Sequence, residues 1–455
     1  MIALLISLLF GGDVLGQQTA LVIRNISVVD GVSPLVQPNR TVVIVGNRIT
    51  AIGGSGEVAI PRKAKVIDGT GKYLIPGLWD SHVHLKSADP LPLFIANGVT
   101  GVREMGGDLA FVIDLRDRTA SGRLLGPRIK IAGTILESEQ WIKWATGHAK
   151  KDNDTGMLET LALRIAISDP EQAREAIRKL AGQGVDLIKV RNTHSADAFL
   201  AILSEAKKYN IPVAAHAPRM NLVAASDGGL RSIEHVETVA SMRGSVEVDE
   251  LAKAFVRNGT FYTPTLIIQV ISRLTPRADL SELLKDTDGK IHERNRYVSP
   301  SVLERWKKDF EMQKNEGTFD WAALTRKGIG ESRTMKQAGV VFLAGTDFGA
   351  PLSYAGFSLH DELEALVKES GLTPFEALQS ATSNSAKFFG MESEIGTVSP
   401  GKLADLVILT ANPLENISNT RKIDGVILNG RYLPSAELSK MKDQARDKIR
   451  KENSK

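Results

Sequence analysis

Short apolar runs recur along the middle of the chain and usually end at a polar residue. They are rich in β-branched side chains and are bounded by glycine, proline or small polar residues, as is typical of the buried strands of a parallel sheet. We identify eight such runs, at residues 74–80, 99–103, 128–132, 185–190, 211–216, 230–235, 260–265 and 340–347.

Amphipathic stretches separate most of these runs. Residues 171–181 and 196–209 place apolar side chains at the three- and four-residue spacing of a helix that buries one face. A strand followed by a helix, repeated around eight strands, predicts an α/β protein with a (β/α)8 TIM barrel over residues 74–390. Active sites of such barrels lie at the carboxyl ends of the strands.

The pattern changes at both ends of the chain and once inside the barrel. Strand-and-turn sequence occupies residues 19–73 and 391–435, with Gly46-Asn47 as a hairpin turn. Residues 271–335 are charged and helical in pattern, which predicts a helical insertion that either leans over the barrel mouth or lies at the periphery. Residues 436–455 form a charged tail, predicted as a solvated terminal helix.

Six residues with metal-binding chemistry stand at or near the ends of these runs. His82 and His84 are two positions apart, so on a strand their imidazoles point the same way, roughly 6.5–7 Å apart. On a helix the same spacing would place them about 200° apart around the axis. The set that we interpret as one metal site is His82, His84, Lys189, His216, His235 and Asp347.

Several longer motifs surround these residues. They are Gly77-Leu-Trp-Asp-Ser-His-Val-His84, Asp186-Leu-Ile-Lys-Val190, Ala215-His-Ala217, Ser232-Ile-Glu-His235, Gly345-Thr-Asp347, Ala381-Thr-Ser-Asn-Ser-Ala386 and Gly396-Thr-Val-Ser-Pro-Gly-Lys-Leu-Ala-Asp-Leu-Val407. Together they resemble the amidohydrolase superfamily, and more narrowly its imidazolonepropionase-like branch, which includes metal-dependent Xaa-Pro dipeptidase-like enzymes. The resemblance implies that the two chain ends pack as one small β-sandwich beside the barrel.

The resemblance also implies a role for each metal-site residue. His82, His84 and Asp347 would hold a first ion, and His216 and His235 a second. An ordinary ammonium at Lys189 would repel a cation, so its place among ligands requires a carbamate formed with CO2, which bridges the two ions. Imidazole and carboxylate donors suit two Zn²⁺ ions best, with Mn²⁺, Co²⁺ and Fe²⁺ as alternatives.

The chemistry of such a site predicts hydrolysis. A bound divalent ion lowers the pKa of its water from 15.7 to about 7 and so yields a hydroxide nucleophile. Asp347 is the expected catalytic residue, taking the water proton and delivering it to the leaving amine. Arg191, two residues after Lys189, would bind a substrate carboxylate unless it forms an ion pair at the barrel rim. His148, in a loop expected at the mouth, would polarise a carbonyl.

The composition of the chain limits the kinds of partner and metal ligand that it can have. The net charge of +4 is small, and basic residues cluster only in the tail, so nothing points to nucleic acid. The chain has no cysteine, which excludes disulfides and thiolate metal ligands. The expected partner is a small-molecule or short-peptide substrate, and a homo-oligomer stays open.

The first residues have the character of an export signal. Residues 1–11 form an apolar run too short to span a membrane, followed by small residues before Gln17. We predict a signal peptide at residues 1–18, a periplasmic or secreted mature protein, and no stable membrane insertion after its removal. The alternative is an additional buried N-terminal helix.

Three functions compete. The first is a metal-dependent amidohydrolase that cleaves an amide or peptide bond in a dipeptide or N-acyl amino acid. The second is an imidazolonepropionase-like hydrolase of cyclic amides with a mononuclear site, which would not need the carbamate. The third is a non-catalytic binding protein on the same fold. All six metal-site residues are present, which favours an enzyme.

Overall fold

The structure is a computed structural model that describes residues 20–193, 195–242, 244, 246–312 and 319–453. The predicted signal peptide at residues 1–18 lies outside them. Within the described ranges, no helix combines the length and the apolar character needed to cross a membrane.

Strands account for both chain ends and for the inner part of the molecule. In chain order the described strands are β1 (Leu21–Val28), β2 (Gln37–Val45), β3 (Arg48–Gly54), β4 (Lys65–Asp68), β5 (Tyr73–Pro76), β6 (Leu78–Val83), β7 (Val99–Glu104), β8 (Arg128–Ile131), β9 (Leu136–Ser138), β10 (Ile165–Ile167), β11 (Ile188–Asn192), β12 (Val213–Ala217), β13 (Ser232–Glu234), β14 (Phe261–Thr263), β15 (Leu406–Leu409), β16 (Ile423–Leu428) and β17 (Arg431–Pro434).

Helices follow most of the inner strands. They are α1 (Leu91–Ala96), α2 (Leu109–Ala120), α3 (Glu139–Lys151), α4 (Thr155–Ala162), α5 (Pro170–Gly182), α6 (Ala196–Lys208), α7 (Leu222–Asp227), α8 (Val236–Met242), α9 (Val248–Asn258), α10 (Leu266–Gln269), α11 (Arg277–Lys285), α12 (Pro300–Met312), α13 (Trp321–Gln337), α14 (Phe357–Ser370), α15 (Pro374–Ser380), α16 (Ser383–Phe389) and α17 (Ser435–Asn453). A π-helical turn spans Val270–Leu274, and 3-10 turns span Glu293–Tyr297 and Ile417–Arg421.

Side-chain caps define where several of these helices begin. The Asp169 carboxylate accepts hydrogen bonds from two backbone N–H groups of α5, and Pro170 occupies the first helical position. Thr373 and Glu376 form a reciprocal capping box at α15. These contacts satisfy N–H groups that have no partner inside the helix.

The two chain ends meet in one eight-stranded sheet. Its order is β17-β16-β15-β5-β1-β2-β3, and β4 pairs with β1. β15 runs antiparallel to β5, with Val407 opposite Ile75. The predicted hairpin turn at Gly46-Asn47 is confirmed, because Val45 pairs directly with Arg48 on either side of it.

Parallel strands carry the inner part of the molecule, as the α/β prediction requires. One sheet has the order β6-β7-β8, and the other β10-β9-β11-β12-β13-β14. The Asp186 N–H donates to the Ile131 carbonyl at 2.8 Å, which connects β8 to the chain just before β11. β9 and β10 were not predicted, because three-residue strands carry too little pattern.

The predicted first barrel strand is two strands in the structure. β5 belongs to the terminal sheet and β6 to a parallel sheet, with Gly77 between them. A Cβ at Gly77 would lie 2.0 Å from the Thr100 Oγ1, so the chain can change sheets here only with a glycine.

The predicted eighth strand, 340–347, is not a regular strand, although it lies between two others. The Tyr262 N–H donates to the Val341 carbonyl at 2.9 Å, and the Ser81 N–H donates to the Ala344 carbonyl at 2.8 Å. The segment therefore contacts β14 on one side and β6 on the other through a few backbone bonds.

The predicted insertion is smaller than expected. α11 and α12 share a small core with the chain after Asp347, in which Leu284, Leu303 and Trp306 are buried. α13 instead packs against α8, α9 and α14, as a helix of the repeating units does. The C-terminal tail is also less solvated than predicted, since α17 buries Leu438 and Met441.

Candidate metal centre

The six predicted metal-site residues lie at one end of the parallel strands. His82 is in β6 and His84 follows it, Lys189 is in β11, and His216 is in β12. His235 comes directly after β13, and Asp347 is in the segment beside β6.

Three of these residues form a compact group. The Nε2 atoms of His82 and His84 lie 3.5 and 3.4 Å from the Asp347 Oδ1. One potential ligand atom from each residue lies within 4.8 Å of the others. Two imidazoles and a carboxylate at this separation match the donors that a divalent transition metal takes.

The other two histidines continue this group. The His235 ring centroid lies 4.7 Å from that of His82 and 4.4 Å from that of His216. Burial lowers the pKa of His216 and of His235 well below the usual value. Neutral imidazole is the form that binds a metal ion.

Lys189 is buried beside these histidines. Its side chain is almost wholly inaccessible, and its Nζ has no hydrogen-bond partner in the described part of the chain. Burial lowers the pKa of Lys189 to about 8, against the opposing effect of the Glu234 and Asp347 charges. A buried amine without a partner destabilises a fold, so this position has another purpose than stability.

Hydrogen bonds at Nδ1 fix the orientation of three imidazoles. His82 Nδ1 lies 2.8 Å from the Glu234 Oε2, and His84 Nδ1 lies 2.9 Å from the Gly106 carbonyl oxygen. His235 Nδ1 lies 2.8 Å from the Thr265 Oγ1. These contacts leave each Nε2 free for a ligand, and the buried Nε2 of His82 has no hydrogen-bond partner among the described residues.

A buried arginine holds the carboxylate that orients His82. Arg103 Nη2 donates to both Glu234 oxygens, at 3.0 and 2.8 Å, and both side chains are inaccessible to solvent. Burial alone would raise the pKa of Glu234, but the Arg103 charge and the contact with His82 keep it well below the usual value. The chain Arg103–Glu234–His82 therefore holds a neutral imidazole against a fixed anion.

Changing this carboxylate should cost stability. Glu234→Gln would leave the Arg103 guanidinium buried without a counter-charge, so we expect the free energy of unfolding to fall by about 3 kcal/mol in urea titrations of metal-free protein. Glu175→Gln, on the exposed face of α5, is the matched control and should change little. A decrease of less than about 1 kcal/mol in the free energy of unfolding would contradict the conclusion that the Arg103–Glu234 ion pair is critical for stability.

Asp80 fixes the residue before Asp347. Its two carboxylate oxygens accept from the Thr346 N–H at 3.0 Å and the Thr346 hydroxyl at 2.6 Å. Asp347 and His235 both have left-handed backbone conformations, with φ of 51° and 70°. Non-glycine residues adopt this conformation only where surrounding contacts hold them, so the fold is strained at two of its candidate ligands.

Both predicted substrate-binding residues have other partners in the structure, although the Arg191 charge still contributes to lowering the pKa of His216. Arg191 Nη1 lies 3.2 Å from the buried Glu137 Oε2, and its guanidinium lies 4.1 Å from the Trp141 ring centroid. Arg191 therefore forms an ion pair with Glu137, which is the alternative to carboxylate binding that the sequence left open. The loop predicted around His148 is wrong, because the residue is exposed on α3, with its Nδ1 2.9 Å from the Trp144 carbonyl oxygen.

Comparison with known proteins identifies the relationship. The sequence profile described as the Amidohydrolase family matches residues 73–433, which is most of the chain. The chain belongs to the amidohydrolase family. The match includes all six candidate metal-site residues and extends to β17, so the family relationship covers part of the terminal sheet as well as the parallel strands.

Individual relatives are distant but cover most of the chain. Ochratoxinase from Aspergillus niger is 24% identical over 432 residues, covering 82% of this chain and 78% of that protein. Adenine deaminase 3 from Rhizobium meliloti is 25% identical over 411 residues and covers 87% of this chain, which spans only 56% of that protein's length.

A solved structure agrees with these matches. An Xaa-Pro dipeptidase with methionine bound in its active site is 26% identical, with a TM-score of 0.69, and the alignment covers 91% of this chain and 100% of that one. The predicted superfamily is confirmed, and with it the prediction of an enzyme.

Proposed function

We propose that the protein is a metal-dependent amidohydrolase that cleaves an amide or peptide bond in a dipeptide or N-acyl amino acid. The observation that carries the proposal is the group of His82, His84 and Asp347, whose potential ligand atoms lie within 4.8 Å of one another at the ends of parallel strands. Similarity to an Xaa-Pro dipeptidase over that protein's whole length supports the substrate class.

The fold proposal follows from the same strands. We infer that strands β6 to β8, strands β11 to β14 and residues 340–348 form one closed (β/α)8 barrel, and that the sheet of the chain ends curls into a β-sandwich. The hydrogen bonds from Tyr262 to Val341 and from Ser81 to Ala344 support closure. A barrel brings all eight strand ends, and hence every candidate ligand, to one face.

The donor set fits two divalent ions, with Zn²⁺ the best match to imidazole and carboxylate. His82, His84 and Asp347 would hold one, and His216 and His235 the other. Carboxylation of Lys189 would give its buried, unpartnered Nζ a bridging anion beside both groups. When bound, the metal ions supply Lewis acidity, which activates water at neutral pH and polarises the substrate carbonyl.

The protein's own groups would handle the proton. The Asp347 carboxylate lies at the open side of the group, partly exposed, where it can accept a proton from water and return it to the leaving amine. His82 is held in place by Glu234, so its orientation does not change as charge develops at the site.

Metal removal and replacement test the proposal. Chelation should abolish hydrolysis of a dipeptide panel, and Zn²⁺ should restore it, because the bound ion lowers the pKa of water to about 7 and polarises the carbonyl. Elemental analysis should find two ions per active chain. One ion per active chain, with lactams cleaved in preference, would favour the imidazolonepropionase-like alternative. A fully loaded protein that hydrolyses nothing would favour the binding protein.

A further inference from the structure

Two cavities meet beside the candidate metal centre. The larger, of about 660 Å³, contains His84 and Asp347. The smaller, of about 450 Å³, also contains His84 but is lined by aromatic side chains that include Trp306, Tyr354 and Phe357. Lys86 and Arg305 line both cavities, so they mark the junction between the chamber at the metal centre and the aromatic-lined chamber beside it.

The junction is positively charged. Neither Lys86 nor Arg305 makes an ion pair or side-chain hydrogen bond with another described residue, although Asp309 lies near enough to raise the pKa of Lys86. Burial lowers that pKa more strongly, and the charges of Arg305 and Arg164 lower it further. Arg164 is already paired with Glu137 at 3.1 Å. Asp309 lies near both Lys86 and Arg305 but forms an ion pair with neither, so two cations face the junction against one carboxylate.

The carboxylates that line the larger cavity do not pair with Lys86 or Arg305. Asp108 accepts a hydrogen bond from the Phe111 N–H at the start of α2 and is exposed. Glu159 is exposed on α4. Asp347 belongs to the metal centre. None forms an ion pair with Lys86 or Arg305.

Packing fixes the position of Arg305. It lies on α12, next to Trp306, which is buried against Tyr354 with ring centroids 5.7 Å apart. The helical insertion therefore brings its arginine to the mouth through a buried anchor. Lys86, two residues after His84, lines the same two cavities from a different part of the chain.

We propose that Arg305 and Lys86 bind a carboxylate of the substrate, and that the neighbouring aromatic-lined chamber receives an apolar side chain of the same substrate. This inference rests on the proposed function, which it deepens by assigning the residues that select the substrate. A guanidinium can hold a planar carboxylate through two parallel hydrogen bonds, and the ammonium adds a second charge. Arg191 lines neither cavity and shares the Glu137 carboxylate with Arg164, so Arg305 and Lys86 take the role that the sequence predicted for Arg191.

Equilibrium binding tests the proposal without relying on turnover. Zinc-loaded Asp347→Asn protein, in which hydrolysis should be lost, is titrated calorimetrically with N-acetyl-L-phenylalanine and with its C-terminal amide. The acid should bind at least about tenfold more tightly, because charge-assisted hydrogen bonds are at stake. Arg305→Met and Lys86→Met should each remove most of that preference while leaving binding of the amide within about twofold.

Two arginine variants complete the experiment. Arg326→Met, on the exposed face of α13, is the matched control and should keep the full preference. Equal binding of acid and amide, or a preference that survives both Arg305→Met and Lys86→Met, would overturn the proposal. So would loss of the preference in Arg191→Met alone. A preference that depends on Arg305 in a protein that hydrolyses no amide would uphold the inference and reject the proposed function.

Discussion

Lys189→Met should abolish hydrolysis and lower the metal content of the purified protein. Lys189 is the residue whose carbamate would bridge two ions, and methionine keeps the length of the side chain without a group that can be carboxylated. Substituting a residue that only hydrogen-bonds to a metal ligand already weakens metal binding or activity about 10-fold to 100-fold. Loss of the bridge itself should therefore cost at least about 100-fold in kcat/KM.

The stability of the metal-free protein should change in the opposite direction. The Lys189 amine is buried without a hydrogen-bond partner in the part of the chain that the structure describes, which destabilises the fold. Lys189→Met removes this burden, so its urea midpoint without metal should equal or exceed that of the unaltered protein. If Lys189 instead stabilised the fold by packing, Lys189→Met would lower the urea midpoint of the metal-free protein.

Three measurements complete this test. Lys179→Met, exposed on α5, should leave hydrolysis and metal content unchanged. Acetate or propionate should partly restore hydrolysis in Lys189→Ala, whose short side chain leaves room for the added carboxylate. Near-normal kcat/KM in Lys189→Met without added carboxylate would show that no bridging anion is needed.

Asp347→Asn should lose turnover even where metal is retained. Asparagine can still present an oxygen near His82 and His84, but an amide cannot accept the proton of the attacking water. Removal of general acid–base catalysis typically costs about 100-fold to 10,000-fold, and we expect kcat to fall in that range with little change in KM.

Asparagine is also the substitution that the backbone tolerates best. Asp347 has a φ of 51°, and asparagine adopts this left-handed conformation more readily than other non-glycine residues. A change in kcat can then be attributed to chemistry. Asp249→Asn on α9 is the matched control. Turnover within about tenfold of the unaltered protein would assign the proton transfer to another group.

Sequence alone predicts most of the parallel strands, because each of these is a short run rich in apolar and β-branched residues. The runs at 99–103 and 128–132 agree closely with β7 and β8. The run at 340–347 is equally apolar, but its backbone is held by scattered bonds to two neighbours rather than by regular pairing. A run of apolar residues predicts that a segment is buried, but it does not predict how regularly its backbone pairs with neighbouring strands.

The metal-site residues could be predicted because each stands at the end of such a run. The cationic junction of Lys86 and Arg305 could not be predicted from the sequence. Lys86 lies in a loop and Arg305 on an insertion helix more than 200 positions later, so no local spacing relates them. Arg191 is the predicted carboxylate-binding residue because strand alternation places it on the side of Lys189. Glu137, with which it pairs, comes from β9, a strand too short to predict.

The pairing of β5 with β15 constrains how the chain can fold as it is made. At about 5–20 residues per second, tens of seconds separate the emergence of these two strands from the ribosome. Throughout that interval the buried side chains Leu74 and Ile75 have no covering strand on one edge. A nascent or truncated chain that ends before Leu406 already encodes every candidate metal ligand, yet exposes an open apolar edge to aggregation.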